Sequence, residues 1–402
     1  MSTQPPKWVS SSGRWLDLNR QAPPGEEDSL ESEALEEDLE EPTVEMQAQA
    51  PALWSLRELL RKMLDQRASD LYLSSGQPPR FRVDGRVVLS GDKPPDEERM
   101  TELILSRLED PAREQFEETG DLDLAIVETG IGRFRVNLYR HRGGLGAVFR
   151  PIPGKVPRLE TLELPSILSE LIHVERGLVL MTGATGSGKS TTLAALVTAI
   201  AEHRSVHITT VEDPIEFTIP MGRSLVSQRQ VGVHAPSFAQ ALRDALREDI
   251  DVMMVGEMRD LDTVTLALEA AETGLLVLGT LHTPSAARAI TRMIDIFPAG
   301  RQDQVKLMLA DNLRAVVAQQ LVPRIDRPGR VPAVEVLMAT PALGYSIREG
   351  KTQHIYTSIA TGREQGMITM EQALKDLARR GIITPEEAVE RAQRPETMTR
   401  NG

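Results

Sequence analysis

The sequence predicts an α/β nucleotide-binding domain with a parallel-rich sheet, preceded by a small α+β domain. Three observations carry this. Between residues 177 and 280, apolar runs at 178–181, 206–211, 251–255 and 275–278 alternate with stretches of helical period, and runs buried on both faces and separated by helices belong to parallel sheets. The first run leads into a glycine-rich turn, behind which Leu193, Leu196, Val197 and Ile200 recur at helical spacing. Ahead of residue 153, amphipathic helical stretches mix instead with short strands and an Asp-Gly turn.

Residues 1–50 hold 12 acidic and 3 basic side chains, and 26–45 contains no basic residue. Residues 1–51 are therefore expected to form a disordered acidic tail, because such a segment buries too little apolar surface to offset its ordering entropy. Trp8 and Trp15 stand out in it, either as anchors for a partner or as solvated side chains. The remainder has 47 acidic against 43 basic residues, a balance unlike the broad basic surface of a nucleic-acid binder. The chain has no cysteine, which excludes disulfides and thiolate zinc sites. Its polar opening has no signal-peptide core and no apolar run approaches the ~20 residues of a membrane span, so a cytoplasmic protein without membrane insertion is expected.

The α+β domain is placed at 52–153. Leu53, Leu56, Leu59, Leu60, Met63 and Leu64 share one helical face; strands follow at 71–73 and 80–83, with Asp84-Gly85 as the hairpin turn. A helix at 101–108 and strands at 122–127, 132–138 and 146–150 complete it. Pro151, Pro153 and Pro157 mark a linker, 154–176, that includes a short helix at 165–173. The nucleotide domain spans 177–340. Helical period resumes to about residue 392 in a C-terminal region, 341–402, which Thr340 and Pro341 open as N-cap and first helical residue.

Gly183, Ala184, Thr185, Gly186, Ser187, Gly188, Lys189 and Ser190, followed by Thr191, fit G-x-x-x-x-G-K-[ST] between a strand and a helix. The glycines let backbone N–H groups close around a polyphosphate, the helix adds the positive end of its dipole, Lys189 supplies a point charge, and Ser190 offers a hydroxyl to magnesium. This predicts a cradle for ATP and Mg2+. Glu257, at the end of the 251–255 strand, is the candidate to orient or deprotonate an attacking water; Gly256 stands where a metal-binding Asp is usual. Glu212, with Asp213 and Glu216, ends the preceding strand and could hold the metal's waters or cap the next element. His282 ends the fourth strand, as a sensor of the γ-phosphate or as a structural side chain.

Taken together, these motifs resemble the PilT-type ATPases of type IV pili, within the secretion ATPase superfamily. The resemblance runs over roughly residues 52–395 and rests on Ala68-Ser-Asp-Leu71, Gly132-Arg-Phe-Arg135-Val-Asn137, the phosphate loop, Glu212-Asp-Pro-Ile-Glu216, Ala245-Leu-Arg247-Glu-Asp249, Gly256-Glu-Met-Arg-Asp260 and Gly279-Thr-Leu-His282-Thr. It implies a RecA-like P-loop ATPase domain behind a PAS-like domain, assembled as a homohexamer, with Arg135 and Arg150 reaching the nucleotide from the N-terminal domain. It further implies a motor that hydrolyses ATP to retract pili in twitching motility, at the inner face of the cytoplasmic membrane, on an inner-membrane platform protein and in some settings beside another retraction ATPase.

Two departures stand out. Tyr72 follows Ser69-Asp-Leu where the family has His, and the family's Ala-Ile-Arg-Asn-Leu-Ile-Arg-Glu signature reads Ala342-Leu-Gly-Tyr345-Ser-Ile-Arg348-Glu349. An accessory retraction ATPase is therefore an alternative reading. A pilus-assembly or type II secretion ATPase is another, against which the missing cysteines weigh, because those relatives typically carry a four-cysteine zinc insertion.

Overall fold

The computed structural model describes residues 54–398 except 84, 109 and 153. The acidic tail with Trp8 and Trp15, Leu53, the Asp84 of the expected hairpin turn and Pro153 of the linker lie outside the described residues.

Ser55 opens helix α1 (Leu56–Asp65) through a reciprocal capping box with Glu58, and Leu56, Leu59, Leu60 and Met63 are buried. Leu64, expected on the same face, lies off it and is 38% exposed. Then come β1 (Asp70–Ser74), β2 (Gln77–Val83), β3 (Arg86–Leu89), α2 (Glu97–Ile104), α3 (Asp110–Thr119), β4 (Asp121–Glu128), β5 (Gly132–His141) and β6 (Gly144–Ile152). The six strands form one antiparallel sheet in the order β3-β2-β1-β6-β5-β4. Leu71, Leu73, Phe81, Phe134, Leu138 and Phe149 pack into the core with α1 and α2. Strand alternation turns Arg80, Arg82, Arg133, Arg135 and Arg150 to the opposite face. Helix α2 begins four residues before the expected 101, because Asp96 accepts the Arg99 N–H as its cap. Helix α3 has no counterpart among the sequence expectations; it is charged along its length and buries Phe116.

After the connection, which includes α4 (Ile167–Glu170) and a 3-10 turn at Leu171–His173, the second sheet begins. Its elements are β7 (Gly177–Thr182), α5 (Lys189–His203), β8 (His207–Glu212), β9 (Leu225–Gln230), α6 (Phe238–Ala245), β10 (Val252–Val255), α7 (Leu261–Glu272), β11 (Leu276–Leu281), α8 (Ala286–Asp295), α9 (Ala299–Asn312), β12 (Leu313–Pro323) and β13 (Arg330–Met338). The order is β13-β12-β7-β11-β10-β8-β9. Every neighbouring pair is parallel except β12 with β13. The four expected strands are β7, β8, β10 and β11. They sit at the centre, where every residue of β7, β10 and β11 is buried, and this produces their uninterrupted apolar runs. β9 escaped the sequence reading because this edge strand is largely polar, and β12 because it follows α9 without a break and carries Gln319 and Gln320. Two apolar clusters cover the two faces of the sheet.

The C-terminal helices are α10 (Pro341–Arg348), α11 (Ile355–Thr361), α12 (Met370–Arg379) and α13 (Pro385–Arg391). Thr340 caps α10 by accepting the Leu343 N–H, with Pro341 in the first turn. Gly344 lies within that helix. It is buried against α9, where an added Cβ would stand 3.3 Å from the Ala310 carbonyl oxygen. Tyr345 is exposed, and Arg348 is tied to α9 by a 2.7 Å ion pair with Asp311.

Candidate functional site

The phosphate loop lies at the C-terminal ends of the parallel strands, between β7 and α5, which is where open α/β sheets place ligands. Gly183, at φ +145°, is pressed so close to β12 that a Cβ there would collide with the Gln319 carbonyl oxygen. Gly186, at φ +76°, faces open space. The Lys189 ammonium is largely buried and donates to the Gly183 and Ala184 carbonyls at 2.9 and 3.0 Å. Burial lowers its pKa, while the charges of Glu257 and Glu216 work the other way. The Ser187 hydroxyl is buried without a hydrogen-bond partner. A charge bonded only to carbonyls, an orphaned hydroxyl and an unobstructed glycine fit an anion bound in the loop.

Across a cavity of about 220 Å³ from Lys189 and Ser190 stand Glu212, Glu257 and His282, at the ends of β8, β10 and β11. The three strand-end residues, distant in sequence, are brought together because β11, β10 and β8 are neighbours in register. Glu257 Oε1 lies 2.5 Å from Arg259 Nε and 3.0 Å from His282 Nε2. Burial pushes the Glu257 carboxyl up, but the hydrogen bond with Arg259 and the interaction with His282 outweigh it and hold the group below its ordinary value. Glu212 is 7% exposed. Burial raises its pKa against the hydrogen bonds that Thr210 and Gln228 donate to Oε1 at 2.7 and 3.1 Å. Gly256 has a steric reason: a Cβ there would come within 3.1 Å of the Val211 carbonyl oxygen and 3.2 Å of Glu212 Cα.

The two N-terminal arginines part company. Arg135 lines the same cavity as Lys189 and Glu257 and forms an ion pair with Asp123 at 2.6 Å, which raises its pKa. Arg150 is not brought there. Its Nε and Nη2 bond Asp70 Oδ1 at 3.0 and 2.8 Å, in a second cavity on the sheet face, which Arg135 also lines. A short buried carboxylate on the neighbouring strand captures it first.

Several residues at the site were not singled out from the sequence. Arg133 joins the N-terminal sheet to the segment after Glu212, donating to Thr218 Oγ1 at 3.0 Å and to the Ile215 carbonyl at 3.2 Å. Gln319 braces the phosphate loop, donating to the Ser187 carbonyl and accepting from Thr192 Oγ1, each at 2.9 Å. Thr182 Oγ1 accepts the Thr283 N–H at 3.0 Å, linking the base of the phosphate loop to the His282 segment. Arg259 lies inside a quoted motif, but only its contact with Glu257 marks it out. No group of three His, Cys, Asp or Glu side chains among the described residues is arranged to hold a metal unaided, and no helix among them is long and apolar enough to cross a membrane.

This fold, with a phosphate loop facing strand-end carboxylates, has a counterpart among known proteins. The type II/IV secretion system protein family matches residues 45–401, and the chain belongs to that family. Within it, the chain is similar to the type IV pilus retraction ATPase PilT of Pseudomonas aeruginosa: 46% identical over 343 residues, covering 85% of this chain and 99% of that protein. It is 42% identical over 335 residues to the type IV pilus ATPase PilU of the same organism, covering 83% of this chain and 88% of that one. The crystal structure of the pilus retraction motor PilT with bound ADP matches with a TM-score of 0.81 at 41% identity, covering 87% of this chain and all of that one.

Proposed function

We propose that this chain is a motor ATPase that hydrolyses ATP to power the retraction of type IV pili, and with it twitching motility. The observation that carries the reading is the placement of Glu257, held by Arg259 and His282, across one cavity from Lys189. The likeness to PilT over nearly its whole length supplies the pilus as the object of the work.

In this reading the loop from Gly183 to Thr191 wraps the phosphates, with Lys189 on the β and γ oxygens and Ser190 directed to magnesium. Magnesium, when bound, supplies neutralisation of the phosphate oxygens; Ser190 and waters held by Glu212 are the protein's means of keeping it. Because its pKa is lowered, Glu257 is ionised at neutral pH and a weak base, so it acts chiefly by orienting water toward the γ-phosphate. His282 fixes Glu257 and follows the γ-phosphate. Arg135 exchanges Asp123 for phosphate oxygens, and Arg150 serves a nucleotide only after leaving Asp70. The working unit is a homohexamer at the cytoplasmic face of the membrane, with the inner-membrane platform protein as its partner. This reading keeps the divisions expected from the sequence: an N-terminal domain at 52–153, a linker at 154–176, the ATPase domain at 177–340 and C-terminal helices at 341–402.

A second reading, an accessory motor beside another retraction ATPase, draws support from α10. There Gly344 packs directly on α9 and Tyr345 replaces a polar side chain of the signature. Retraction under load by this chain alone would rule it out.

The ATPase reading is tested by two variants. Lys189→Ala should lose nucleotide affinity, whereas Glu257→Gln should bind ATP and fail to turn it over. Hydrolysis by Glu257→Gln at the wild-type rate would remove Glu257 from its role and leave Glu212 as the candidate.

A further inference from the structure

His282 sits in residues 282–285, the connection from β11 to α8. One end of this connection is held at the phosphate loop by the Thr182–Thr283 hydrogen bond. The other end is held from the C-terminal region. Glu335 on β13, 2% exposed, accepts the N–H of Ala286, the first residue of α8, at 2.8 Å. Gln393, beyond α13, donates its side-chain amide to the Pro284 carbonyl at 2.7 Å. Gln393 is itself anchored through the next residue: the Arg394 N–H donates to Glu371 at 3.0 Å, and the Arg394 guanidinium lies 3.5 Å over the Tyr356 ring. Glu371, on α12, is 3% exposed.

Two buried carboxylates are thus spent on backbone N–H groups, one at the start of α8 and one in the segment that reaches back to Pro284. A buried carboxyl oxygen that loses its N–H partner is left unsatisfied at a cost, so both junctions are stiff. Displacing the C-terminal segment would pull on the connection that holds the Glu257 partner.

We propose that Gln393 and Glu335 are positioning residues for His282, so that the C-terminal segment 391–398 sets the geometry of the Glu257–His282 pair. The inference rests on the ATPase reading above. It assigns the C-terminal helices a part in the chemistry, although they lie outside the nucleotide cavity. Load on those helices then reaches Glu257 through Pro284 and Ala286.

The test uses the full chain and reads single-turnover ATP hydrolysis, so that slow variants still register. Gln393→Glu keeps the size of the exposed side chain and removes its donor. It should slow turnover about fivefold, the factor that the loss of about 1 kcal/mol produces. ADP affinity and melting temperature should stay as in the wild type, and Gln393→Lys, which keeps a donor, should recover the rate. In a His282→Ala background Gln393→Glu should slow nothing further, since its effect runs through the missing imidazole. A wild-type rate in Gln393→Glu would overturn the inference. So would a fivefold loss repeated in the His282→Ala background, or a loss of ADP affinity in step with the rate. Those results require a wild-type chain that turns ATP over; a wild type without turnover would sink the ATPase reading and this inference with it.

Discussion

Gln319→Ala is the change that asks most of the tertiary structure. The Gln319 side chain is 4% exposed and joins two buried groups, the Ser187 carbonyl and the Thr192 hydroxyl, each at 2.9 Å. Truncation leaves both without a partner. An orphaned buried polar group costs about 1–3 kcal/mol, so the pair should cost about 2–6 kcal/mol, with the vacated volume adding to it. For a domain of 150–250 residues each kcal/mol lowers Tm by about 2–4 °C, which puts the expected drop at about 4–24 °C. Part of that loss falls on the phosphate loop, because the Gln319 side-chain amide also lies against Gly188; an ordering cost of about 1.4 kcal/mol weakens ADP binding tenfold. Thermal unfolding and ADP titration read the two effects. A Tm within about 1 °C of the wild type together with unchanged ADP affinity would refute the view that β12 braces the loop, since the expected drop is several times larger.

Arg135→Ala should lower ATP turnover at least about tenfold while changing stability by no more than about 1 kcal/mol, because its Asp123 partner is half-exposed; steady-state hydrolysis and a melting curve decide. Glu335 is pushed up to about 7 by burial, with Glu371 adding to the shift and the Ala286 N–H and Arg394 opposing it. A carboxyl whose folded pKa is raised stabilises the fold below its unfolded pKa, near 4.5, and that contribution is lost as pH rises through about 7. The wild type should therefore melt lower at pH 8 than at pH 5 by more than Glu335→Gln does, and parallel profiles would be the contrary result. Gly344→Arg, which restores a signature side chain, must push α10 away from the Ala310 carbonyl and should cost about 1–3 kcal/mol in thermal melts, with ATP turnover little changed.

What could be read from the sequence was local. Leu178 to Met181 followed by the phosphate loop marks a strand, a turn and a helix within one short stretch, because backbone geometry and burial on both faces dictate composition residue by residue. The same reasoning placed Glu212, Glu257 and His282 at strand ends, and the parallel register of β8, β10 and β11 brings all three to Lys189. Where a segment lacks a period of its own, the reading stopped: charged α3, polar β9, and β12 with its paired glutamines.

Partner choice lay beyond it altogether. Arg135 and Arg150 occupy facing positions on β5 and β6 and look equivalent as a sequence. Only the folded sheet sets Asp70 against Arg150 and Asp123 against Arg135, and brings Arg135 alone of the two to the nucleotide cavity. Gln319 meets Thr192 from 127 positions away, and Gln393 meets Pro284 from 109. A hydrogen bond depends on a few tenths of an ångström and on direction. Periodicity and motif spacing carry neither across such separations, so the strand ends and the loop belong to the sequence, while the braces that hold them belong to the tertiary structure.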